Sequence, residues 1–162
     1  MLALHQLDVR SASIATLPAE PVPMAVNVFA VSPRFGRGPD PGVLRADLAR
    51  ALAGTLPLGE RLAAKERDYR PAPVGAPARV LWFDDAATDA TVLELRAADS
   101  VGLLHRVTAA LERCALDLRS ARVSTLGGAV VDAFYLLGPD GGPVTDAGLR
   151  ATVEREVLAA AG

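Results

Sequence analysis

The sequence predicts an α+β fold built from two copies of one module, the first incomplete at its N-terminal side. Three observations carry this expectation: an internal repeat, a β-α-β-β-α order of hydrophobic periodicities in the second copy, and a composition able to supply a core. Of 162 residues, 51% are hydrophobic and 22% charged, and the mean hydropathy is +0.26. A chain so composed has enough apolar surface to fold, which excludes disorder throughout.

The repeat comes first. Residues 7–17 read LDVRSASIATL and residues 116–126 read LDLRSARVSTL, identical at seven of eleven positions. The match resumes with Ala25-Val26-Asn27-Val28-Phe29 against Val130-Val131-Asp132-Ala133-Phe134. The offset falls from 109 to 105, so the first copy carries four extra residues between Leu17 and Ala25. Pro18, Pro21 and Pro23 lie there, as in a lengthened hairpin turn.

The second copy can be followed element by element. Thr91 to Ala97 alternates, with Leu93, Leu95 and Ala97 on one face and Glu94 and Arg96 on the other, the pattern of a half-buried strand. Asp99-Ser100-Val101-Gly102 turns the chain into a helix with Leu103, Leu104, Val107, Leu111 and Ala115 on its apolar face. A strand over about 119–125 places Ala121 and Val123 inward. Gly127-Gly128 makes a tight turn into a strand at about 129–137, apolar on both faces except for Asp132, as in a central strand. After a loop from Pro139 to Pro143, Thr145 or Asp146 caps a helix marked by Leu149, Val153 and Val157.

This order is a ferredoxin-like plan, βαββαβ with helices on one face of an antiparallel sheet, short of its last strand. Arg79-Val80-Leu81-Trp82-Phe83 is strand-like and precedes 91–97 by a short polar loop. It is expected to pair beside that strand, at the edge the missing one would occupy. In the first copy, position 1 aligns with Ala110, so the counterpart of 79–109 is absent. What remains is a helical stub at 2–6, strands at about 8–17 and 23–32, and a helix from Pro41 to Ala53 capped by Asp40. An amphipathic stretch from Leu58 to Tyr69 follows. The expected division is a partial first domain at 1–70, a Pro-rich linker at 71–78 and a second domain at 79–162, with Met1 an internal start.

Composition limits the chemistry. The net charge of −2 argues against a nucleic-acid coat. Of 17 basic residues 16 are arginine, a bias that GC-rich coding explains without phosphate binding. A single cysteine, Cys114, excludes an internal disulfide framework. No apolar run approaches a membrane span, and the first ten residues, with His5 and Asp8, lack the plan of a signal peptide. A soluble, cytoplasmic protein is expected.

Asp99-Ser100-Val101-Gly102-Leu103-Leu104 opening a helix, followed by LDLRSARVSTLGGAVVDAFYL, resembles an ACT domain. More narrowly, the two copies resemble the C-terminal tandem ACT pair of the PII uridylyltransferases, some of whose relatives adenylylate PII instead. AVNVFAVSPRFG with its Asp-Pro helix start is similar to the first ACT copy of that family. The family usually has a basic residue and a proline between the Asp and Gly of the loop, where this chain has Ser100 and Val101. The resemblance implies a parent nucleotidyltransferase with a His-Asp phosphohydrolase domain, and a sensor region that responds to glutamine. It also implies partnership with the parent's catalytic domains, with PII and, through the ACT sheets, with a second copy. An ACT interaction module without sensing is the alternative.

The candidate ligand site is Asp99, Ser100, Val101, Gly102, Leu103 and Leu104. Backbone N–H groups at a helix start offer a dock for an amino-acid carboxylate. Gly102 would let the ligand approach closely. Asp99 either accepts from the ligand's amino group or caps its own helix. Arg10 and Arg119, with Ser11 and Ser120, either flank a ligand or share strand-start geometry. Asn27 and Asp132 either bond across a module interface or are satisfied structural groups. His5 and His105 lack a carboxylate or cysteine at ligand spacing, so no metal is expected, and no cofactor or catalytic residue. Cys114 reads as a small core residue. Gly36, Gly38 and Gly42 do not make a phosphate loop, because Pro39 and Pro41 remove backbone donors.

Overall fold

In the structure, a computed structural model, residues 1–68, 77–126 and 128–162 are described. A 3₁₀ turn at Leu2–His5 leads into β1 (Leu7–Leu17) and β2 (Met24–Pro33), then α1 (Pro41–Leu52) and α2 (Leu58–Asp68). There follow β3 (Arg79–Phe83), β4 (Thr91–Ala98), α3 (Leu103–Arg113), β5 (Asp117–Leu126), β6 (Ala129–Leu137) and α4 (Ala147–Ala161). Of the expected elements, Gly127 and most of the 71–78 linker lie outside the described residues.

All six strands form one antiparallel sheet in the order β2-β1-β5-β6-β4-β3. Its β5-β6-β4-β3 part has the ferredoxin-like arrangement, with β3 pairing antiparallel to β4 and supplying the edge. Three contacts seat β3. Val80 is buried, and Trp82 lies under the Arg150 guanidinium of α4, 5.2 Å from the ring centroid. The same guanidinium pairs with Asp84.

The duplication is written into the backbone. Gln6 and Ala115, 109 residues apart, both take the left-handed conformation, at φ 57 and 56. The β1–β2 ladder slips between Val9 and Ser11, and the β5–β6 ladder slips between Leu118 and Ser120. Arg10 and Arg119 therefore occupy matching β-bulges, which is the geometry they share. Arg10 Nε donates to Ser32 Oγ and Arg119 pairs with Asp117.

The two copies join through β1 and β5, where Ser11 faces Ser124, Ser13 faces Arg122 and Ala15 faces Ser120. Ser13 thus meets its own repeat counterpart, and a local pseudo-twofold axis passes between them. Pairing two long strands in this way removes two free edges.

The core lies between the sheet and the α3–α4 layer. Leu93, Leu95, Val107, Leu111, Phe134, Leu136, Val153 and Val157 are fully buried there, each contributing about 1.5–3 kcal/mol. Two sequence expectations change. On β6, Val130, Asp132, Phe134 and Leu136 face the helices, but Val131 on the other face is 38% exposed. Both α3 and α4 lie on one side, so this central strand is covered once rather than twice. Ala115, expected on the apolar face of α3, is exposed just beyond the helix end, where the chain turns left-handed.

The expected caps form. Asp40 accepts from the Gly42 N–H at 2.7 Å, with Pro41 in the first turn, and Asp146 accepts from the Leu149 N–H at 2.6 Å. Asp146→Ala is expected to lower stability by about 1 kcal/mol in urea unfolding, because α4 inserts Val153 and Val157 into the core.

Candidate functional site

A cleft of about 870 Å³ opens on the helix side of the sheet, where the two copies meet. Ile14, Asn27, Val123 and Asp132 form its floor, drawn from β1, β2, β5 and β6. The loop after β4 and the start of α3 make one wall. The 3₁₀ turn, Leu44 and Leu48 of α1, and Leu62 and Lys65 of α2 make the other. Its lining is mainly apolar, with a few polar groups, and its size is at the upper end for a small-molecule site.

All six residues from Asp99 to Leu104 line this cleft. Gly102 is the residue that opens α3, at φ +76, and no side chain caps that helix. The N–H groups of the first turn, Leu104 and His105 among them, are therefore left without a side-chain partner, a setting that favours an anion. Asp99 is not a cap. It sits three residues earlier, with its own N–H donated to Gly128 O at 2.8 Å. The left-handed backbone at 102 favours glycine, and a Cβ there would meet Arg106 and Leu62 atoms at ordinary contact distance.

Arg106 holds the loop in shape. Its guanidinium donates to Val101 O at 2.7 Å, to Ser100 Oγ at 2.8 Å and to Ala160 O at 2.8 Å, and it pairs with Glu66 at 3.1 Å. Sequence reasoning missed this residue because two of its partners, Glu66 and Ala160, are distant in the chain.

The cleft is electrostatically mixed. Asp8 pairs with Arg34 at 2.8 Å. Burial, with Asp8 nearby, pushes the half-buried Asp99 carboxyl above its usual range, against the pull of Arg34 and Arg10. Asp132 is only 2% exposed and is pushed up to about 7, chiefly by burial and further by Asp99, while the Ser124 N–H opposes the shift. Lys65 donates to Leu4 O at 2.8 Å and is pushed down by burial and by Arg34 and Arg61.

His105 also lines the cleft, whereas His5 and Cys114 are engaged outside it. His5 bonds Asp47 of α1 at 3.0 Å, and burial lowers His105. Cys114, at the end of α3, packs against the core with its thiol pushed up by burial. Among the described residues no group of three or more His, Cys, Asp or Glu is placed to hold a metal. No helix among them is long and apolar enough to cross a membrane.

Fold and cleft define a duplicated antiparallel α+β domain with a ligand-sized cleft shared by its two copies. Comparison with known proteins gives the relatives: the chain is homologous to a stretch of the bifunctional uridylyltransferase/uridylyl-removing enzymes. It is 41% identical over 149 residues to that enzyme of Streptomyces coelicolor, matching 89% of this chain and 18% of the relative. The Mycobacterium tuberculosis enzyme is 32% identical over 173 residues, matching 98% and 20%. The Rhodospirillum rubrum enzyme is 33% identical over 141 residues, matching 83% and 15%. The chain thus spans about a fifth or less of the length of these relatives. No family model matches, and no solved structure does.

Proposed function

We propose that this chain is the regulatory, ACT-type region of an enzyme that adds uridylyl groups to the PII nitrogen-signalling protein and removes them, and that its cleft senses glutamine. The observation that carries the proposal is the cleft itself: an uncapped helix start and carboxylates drawn from both copies line one apolar cavity. The ligand's carboxylate docks on the N–H groups at the start of α3. Asp99 at the rim accepts from its amino group, and the apolar lining takes its methylenes. Similarity to uridylyltransferase/uridylyl-removing enzymes along nearly the whole chain supports the regulatory role. Catalysis belongs to other parts of the enzyme. A millimolar sensor needs only about 4 kcal/mol of binding free energy, which such contacts can supply.

Thermal unfolding in a panel of amino acids tests this. At ten times its dissociation constant, glutamine is expected to add about 1.4 kcal/mol, a rise of about 3–6 °C in Tm, with no shift from unrelated amino acids. A second reading, an interaction module without sensing, is favoured by β2. Its outer edge is unpaired in the sheet, and it exposes Met24, Val26, Val28 and Val31. No shift with any amino acid, together with concentration-dependent self-association, would favour that reading.

A further inference from the structure

Among the polar side chains that the strands give to the floor of the cleft, two hold the same place in the repeat. Asn27 faces Ile14 across β2–β1, and Asp132 faces Val123 across β6–β5. Asp132 is the deeper of the two, and its Oδ1 accepts one hydrogen bond, from the Ser124 N–H at 3.3 Å. Among the described residues no arginine or lysine forms an ion pair with it. A buried carboxyl with one long bond is poorly satisfied, and a cation brought to it would gain most there.

The groups around it sharpen the choice. The acids are Asp99 from the loop after β4 and Asp8 from β1. Of the cations in the cleft, Arg34 is held by Asp8 and Lys65 by Leu4 O, while Arg45 lies on α1. Burial favours the neutral form of His105 on α3. Asp99 already accepts from the Ser100 N–H and feels both Arg34 and Arg10. Asp132 meets one backbone N–H and another carboxyl.

We propose that Asp132 is the principal acceptor for the ammonium group of the amino acid in the cleft, and that it assumes this role by releasing its proton to solvent as the ligand binds. The inference rests on the amino-acid-sensing reading and moves the main amino-group contact from the rim to the floor. In the exchange the carboxyl O–H bond breaks, the proton passes to buffer, and the ligand's –NH₃⁺ takes its place. At Asp132 one positive charge replaces another, and the negative charge of the ligand's own carboxylate is met separately by the N–H groups at the start of α3. Asn27, the neutral counterpart in the first copy, adds a carbonyl acceptor on the same floor.

Calorimetric titration of the whole chain with L-glutamine tests this, run at pH 6 and pH 8 in buffers of different ionisation enthalpy. For a carboxyl that titrates near 7, binding is expected to be about tenfold tighter at pH 8, with close to one proton released at pH 6 and few at pH 8. Asp132→Asn is expected to bind about tenfold more weakly than the unaltered chain at pH 8, and equally at both pH values. The des-amino analogue of glutamine should show neither effect. Glutamine bound equally well at both pH values, or a pH profile that survives in Asp132→Asn, would overturn the role of Asp132 and leave the sensing reading standing. No binding of glutamine by the unaltered chain at either pH would overturn both.

Discussion

Asp132→Asn is expected to stabilise the protein by about 2–4 kcal/mol at pH 8 and to leave stability unchanged below pH 4. Burial holds the folded-state carboxyl near 7, against a usual value of 3.8. Between those values the folded chain keeps a proton that the unfolded chain has lost, so stability falls as pH rises through that window. Above 7 the folded state bears the full cost of a buried charge. Asparagine never ionises, and its carbonyl can still accept the Ser124 N–H. Nature has placed this side chain on the same fold already, as Asn27 at the matching place in the first copy. Urea unfolding of both proteins from pH 4 to pH 8 measures the effect, and parallel stability curves would show that Asp132 is charged throughout.

The second large effect is a contrast between twins. Phe29 and Phe134 hold the same repeat position, but α3 and α4 seal Phe134 completely, whereas Phe29 is half-buried at the cleft. Phe134→Ala is expected to cost about 3–5 kcal/mol, through lost burial and the cavity left behind. Phe29→Ala is expected to cost about 1 kcal/mol, because its ring is already partly in contact with solvent. Equal losses in urea unfolding would mean that the cleft is closed in solution.

Local order was legible where the chemistry was local. Alternation at Leu93, Leu95 and Ala97 gave β4, proline with aspartate gave the start of α1, and the repeat gave the two hairpins. Closure by β3 also followed from sequence, since a strand one short loop upstream of β4 has few places to pair. The join of β1 to β5 did not. Strand edges carry no pattern that names their partner, and Ser13 opposite Arg122 looks like any exposed pair. The single covered face of the sheet was hidden for a related reason. Val131 and Ala133 are apolar, and apolarity alone cannot tell a buried strand face from an open one.

The site was half legible. Asp99 to Leu104, singled out as a helix start, all line the cleft, and Asp132 and Asn27 were visible as polar breaks in apolar strands. That the loop and the floor belong to one cavity depended on the tertiary join. Of the two readings of Asp99, the helix cap does not form, because Gly102 opens α3 and leaves Asp99 in the cleft. Arg106 was missed altogether, since nothing near it in sequence announces a hub.

The join between β1 and β5 also decides which parts of the molecule can move against one another. A main-chain ladder across a local twofold makes the floor a single stiff plate, and prising the copies apart would strip backbone hydrogen bonds on both sides of the seam. A hinge therefore does not belong there. The movable parts are those laid on the plate, and Arg106 bolts the loop at Ser100 and Val101 to the last turn of α4 and to α2. A displacement of the loop would be carried along that bolt to the last turn of α4, through the helices and not through the sheet.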